Sequence, residues 1–125
     1  EDDLLMLQKH LALEHDAHRG SKRRESIRLS GQFHVLLAEI ADNAVALRMV
    51  KELVTRTSLI IGIFGSPGVS NCRDEDHEEI FAAFRTRDRE AASRLMADHL
   101  RHIQEHLELN GPADGASDLV AIFRK

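Results

Sequence analysis

The chain has no tryptophan and no tyrosine, and only five phenylalanines. That composition argues against an aromatic platform for stacking nucleobases. It has one cysteine, Cys72. An internal disulfide and a multi-cysteine zinc motif are therefore excluded, and a reducing, cytoplasmic setting is expected. No run of about 18 apolar residues occurs, so no membrane-spanning helix is expected. The start, Glu1-Asp2-Asp3, lacks a basic segment followed by an apolar one, so no signal peptide is visible. Seventeen basic against 21 acidic residues give a net charge of −4, a poor basis for a phosphate-binding surface. Two prolines and seven glycines in 125 residues leave long stretches free to be helical. The length suits one domain. The chain begins without Met, directly in an amphipathic pattern, and is expected to be a fragment of a longer protein.

The apolar period is helical almost throughout. Leu4, Leu5, Leu7, Leu11 and Leu13 mark a first helix over 2–18, ending near Gly20. A second is expected over about 26–41. A third, over 44–64, carries Leu47, Val50, Leu53 and Val54 at helical spacing and reads as a buried helix. Gly65 to Asn71 is a loop. A fourth helix, over 73–85, opens with five acids that complement the helix dipole. A fifth is expected over 88–109, and a last short one around Leu119-Val120-Ile122-Phe123. Short connections between long helices imply antiparallel neighbours. The fold class is thus all-α, an antiparallel bundle of about five or six helices.

What the chain has in quantity is histidine, eight in all. Three of them fall on otherwise apolar helical stripes. His34 shares a face with Ile27, Ser30, Leu37 and Ala41, and His77 with Ile80, Phe81 and Phe84. His99 shares one with Ala92, Leu95, Ile103 and Leu107. His77 and His99 lie eleven residues either side of Asp88, the turn between the fourth and fifth helices. Helices that rise equally per residue place those two imidazoles at one height. A lone histidine on an apolar face is usually a hydrogen-bonded core residue. Three at matched positions favour a shared divalent metal. His10, His15, His18, His102 and His106 read as solvated or partly exposed side chains. His102 and His106 stand four apart but lack the glutamate of a metalloprotease motif.

Gln32-Phe33-His34 with Leu37, Ala41 and Asn43 resembles one segment of the FadR C-terminal (FCD) domain. This is the effector-binding domain of GntR-type bacterial transcription regulators. His77-Glu78-Glu79-Ile80 with Ala83, Asp88, Ala91-Ala92, Met96 and His99-Leu100 resembles its second. The likeness covers about residues 2–109 of one domain spanning 1–125. It implies an all-α bundle around a pocket, where an aspartate and three histidines hold a divalent ion (Zn, Ni or Mn) and a small carboxylate effector completes the coordination. The three family histidines fall on His34, His77 and His99. Ser30 stands where the family has its aspartate. A hydroxyl is a weaker ligand than a carboxylate, so the ion is expected to be weakly held or absent. The resemblance also implies an N-terminal winged-helix DNA-binding domain, which this chain lacks, and a homodimer. DNA would then be met only through that domain, and no membrane is involved.

Arg56, mid-way along the apolar third helix, has two readings: a clamp for an effector carboxylate, or a salt bridge to a neighbouring acid. Ser58, Thr55 and Asn71 are further candidate hydrogen-bond donors to an effector. Cys72 reads as a structural thiol. The expected function is effector sensing and dimerisation in a transcription regulator, not catalysis. Two other readings stand beside it. Three histidines with an open position also suit a metal-dependent hydratase or hydrolase, although no general base stands out in the sequence. A ligand-free dimerisation bundle is the third.

Overall fold

The computed structural model describes residues 1–65 and 74–107. Five helices follow in order: α1 (Asp2–Arg19), α2 (Arg23–Ile40), α3 (Ala44–Phe64), α4 (Asp74–Arg85) and α5 (Arg89–Glu105). No strand occurs among the described residues, and Gly65 and Leu107 form one isolated bridge. The all-α expectation holds. The second helix starts three residues earlier than the sequence suggested and the fifth stops at Glu105. The loop residues 66–71, Cys72 and the short helix expected around Leu119 lie outside the described residues.

The turns rest on local chemistry. The Asn43 carboxamide oxygen accepts from the Val45 and Ala46 amides, and the Asp88 carboxylate from the Ala91 amide, capping α3 and α5. Ser21, Asp42 and Arg87 each adopt a left-handed φ, of 53°, 51° and 58°. One such residue reverses the chain at each of the three tight turns. Gly20 was the expected helix stop, yet its φ of −78° is ordinary and Ser21 takes the strained position.

The core is formed by Leu7 and Leu11 of α1, Phe33 of α2, and Ile80 and Phe81 of α4. Leu36, Leu37, Ile40, Leu95 and Met96 pack around it, half-buried. Neighbouring helices pack in the row α3–α2–α1–α4–α5. The row curls, so that side chains of α5 reach α2 across the gap between its ends.

The third helix departs from expectation. It carries no buried residue, and Leu59 is 64% exposed. The reason is its place at the end of the row, where α2 is the one helix it packs on closely. That contact is close: a Cβ on Gly31 would stand 2.7 Å from Val54 Cγ1 and 3.2 Å from Ser58 Oγ. Glycine at this point of α2 is what lets the two helices approach so tightly. No helix among the described residues is long and apolar enough to cross a membrane.

Candidate metal centre

His34, His77 and His99 come together from α2, α4 and α5, with one ligand nitrogen of each within 4.8 Å of the others. His77 Nε2 lies 3.1 Å from His99 Nε2, which lies 3.2 Å from His34 Nε2. His77 and His99 are each 1% exposed. Phe33 stacks on the His77 ring at a centroid distance of 4.1 Å and an interplanar angle of 18°. Consecutive residues of α2 thus do two jobs: Phe33 backs one imidazole while His34 supplies another.

The outer nitrogens are held by acids. His77 Nδ1–H donates to Glu14 Oε2 at 2.7 Å, and His99 Nδ1–H donates to Asp76 Oδ2 at 3.2 Å. His102 Nδ1–H donates to the same Asp76 oxygen at 3.2 Å. A neutral imidazole whose proton sits on Nδ1 presents a lone pair at Nε2. Facing lone pairs about 3 Å apart repel unless a proton or cation lies between them. A carboxylate behind each ligating ring is also the usual arrangement that fixes tautomer and raises ligand basicity at metal centres. A tetrahedral zinc ion with bonds of about 2.0–2.1 Å separates its nitrogen ligands by roughly 3.3 Å. The donor set therefore fits a divalent ion held by His34, His77 and His99.

The electrostatics agree with that fit. Burial, reinforced by the positive charges His77 and His99 would carry, drives the His34 pKa down to about 3. His34 is thus a neutral ligand at pH 7. For Glu14, burial opposes ionisation, but hydrogen bonds from His10 and His77 outweigh it and hold the carboxyl below its ordinary value. Asp76 is likewise lowered: burial acts against it, and the bonds from His102 and His99 prevail.

Two of these groups escaped sequence reading. Leu7, His10, Leu11, Glu14 and Ala17 share one face of α1, so a glutamate on an apolar stripe was there to be seen. Asp76 was hidden among first-turn acids that suit a helix dipole. His10 is a correction. Expected to be solvated or partly exposed, it is buried, donates from Nε2 to the Leu29 carbonyl at 2.8 Å, and lies 3.0 Å from Glu14 Oε1. Its pKa is raised: burial lowers it, but the bonds to Glu14 and Leu29 win. His102 is partly exposed, as expected, and bonds to Asp76.

Beside the cluster lies a pocket of about 800 Å³ between α2, α3 and α5. His34, Ser30 and Ser58 line it. Thr55 does not; it is exposed and bonds to the Lys51 carbonyl, while Thr57 lines the pocket instead. Arg56 does not line it either. Its guanidinium is 71% exposed and pairs with Glu52 one turn away at 2.6 Å, the salt-bridge alternative of its two readings. The α3 face that carries Arg56 looks to solvent because nothing among the described residues covers it. Asn71 lies outside the described residues. Phe84, expected on the buried stripe of His77, is 41% exposed at the pocket rim.

The helical row thus gathers three histidines beside a pocket that one of them, His34, lines. Residues 1–102 match the FCD domain family, and the chain belongs to that family. It is 30% identical over 114 residues to the "Uncharacterized HTH-type transcriptional regulator YdhC" of Bacillus subtilis (strain 168). That alignment takes in 86% of this chain and 49% of the relative, so the chain spans about half the relative's length. No solved structure matched.

Proposed function

We propose that this chain is the effector-sensing part of a DNA-binding transcription regulator. In this reading a small organic acid reaches a divalent ion held by His34, His77 and His99. The observation that carries it is the inward convergence of Nε2 atoms beside a pocket, with Glu14 and Asp76 behind the rings. A divalent ion with three neutral ligands is net positive, and buried positive charge favours an anion. DNA contact belongs to another segment of the whole regulator, as the relative's printed description supports. The exposed apolar side chains of α3, among them Met49, Leu59 and Ile63, support a second copy as partner.

Catalysis is the weaker reading. No aspartate or glutamate lines the pocket among the described residues, so a substrate there would meet no carboxylate base. The test is a thermal-shift screen of organic acids against neutral sugars and amines, with zinc and after chelation. A ligand selective for the folded state raises the melting temperature. Acids should stabilise the zinc-loaded chain and lose most of that effect after chelation. Stabilisation by neutral or cationic compounds alone would end the carboxylate reading.

A further inference from the structure

We propose that the effector is an amphipathic monocarboxylate, with a hydrocarbon or aromatic body, rather than a sugar acid or a dicarboxylate. This rests on the reading that a carboxylate meets the ion at the histidines, and goes on to what the rest of the molecule must be.

The walls beyond His34 decide it. Val50, Leu53 and Val54 of α3 face Met96, Leu100 and Ile103 of α5 across the pocket. Its hydroxyls are Ser21 in the α1–α2 turn, Ser26 and Ser30 on α2, Thr57 and Ser58 on α3, and Ser93 on α5, against a larger aliphatic lining. A polyhydroxylated chain would lay most of its hydroxyls against aliphatic surface, losing water without gaining partners. A second carboxylate would need a second cation. Besides the His18 imidazole, Arg23 is the one basic side chain lining the pocket away from His34 among the described residues. Its guanidinium already donates to the Ile61 carbonyl at 3.0 Å and the Gly65 carbonyl at 3.3 Å, tying down the end of α3. A dicarboxylate would have to pull it from both. At about 800 Å³ the pocket also exceeds what a two- or three-carbon acid fills. An apolar body satisfies walls that a polar one does not.

The experiment is a calorimetric series on the zinc-loaded chain: acetate, butanoate, hexanoate and octanoate, with gluconate, succinate and 1-octanol beside them. Each added methylene should tighten binding about 3- to 4-fold. Gluconate and succinate should bind no better than acetate. Leu100→Gln, at an exposed position on the α5 wall, should flatten the series, weakening octanoate far more than acetate. Val50→Gln provides the same comparison from the α3 wall. Gluconate or succinate binding as tightly as octanoate, and only with zinc present, would overturn the amphipathic effector and leave the carboxylate sensor standing. Octanoate and 1-octanol binding alike, with or without chelator, would overturn both.

Discussion

Glu14 fixes the ring of His77 through a 2.7 Å hydrogen bond, although α1 contributes no imidazole to the cluster. The acid sits behind the ring, where it sets which nitrogen bears the proton. Glu14→Gln should therefore weaken zinc binding about 10- to 100-fold while all three ligating rings remain. Titration calorimetry on both proteins measures this. Unchanged affinity with a lower melting temperature would reduce Glu14 to a packing role.

His77→Ala and His99→Ala separate metal binding from packing in another way. Each should lower the melting temperature in zinc-containing buffer and change it much less after chelation. Equal losses under both conditions would mean that the rings serve the core alone.

Ser30 lines the pocket one helical turn before His34. Ser30→Asp adds an anionic ligand at that level and should tighten divalent metal binding. Titration with zinc or nickel decides it. Weaker binding in the aspartate variant would show that position 30 does not face the ion.

Acid should destabilise the metal-free chain. An unfolded histidine takes its proton near 6.5, whereas folded His34 does so only near 3. Between these values the unfolded state binds more protons, so stability rises with pH and falls on acidification. Glu14 and Asp76 act in the same direction, since their lowered carboxyls favour the fold above their unfolded values and lose that contribution as pH falls. His10 has the opposite sign, its contribution fading as pH rises through its raised value. Urea melts of chelated protein between pH 7 and pH 4 should show a steady loss of midpoint. A flat profile would contradict a buried neutral His34.

Arg56→Ala should change stability by no more than about 0.5 kcal/mol, the usual worth of an exposed i, i+4 ion pair. Its effect on organic-acid binding should be equally small. A large loss of acid binding would place the guanidinium at the effector after all.

The helices and the matched heights of His77 and His99 were legible in the sequence because both follow from a fixed rise and period. The burial of α3 was misread for a reason of the same kind. Periodicity reports how apolar a face is, while burial depends on whether a neighbour covers it, and α3 ends the row. The effector-clamp reading of Arg56 followed from that misreading, whereas on an exposed helix the charge pairs with Glu52 one turn away at the surface. Glu14 shows the converse. Its place on the face of Leu7 and Leu11 was readable, but its target lies 63 residues away on α4. No local pattern connects the two.

The curled row has a mechanical consequence. Its helices behave like links of an open bracelet, with α3 near one end, α5 at the other, and the histidines as the buckle. The buckle ties the α4–α5 hairpin to α2 through His34, His77 and His99. A second clasp, the bridge between Gly65 and Leu107, joins the chain just past α3 to the chain just past α5. The bracelet is thus fastened at two points, with the pocket between α2, α3 and α5 enclosed by the loop they make.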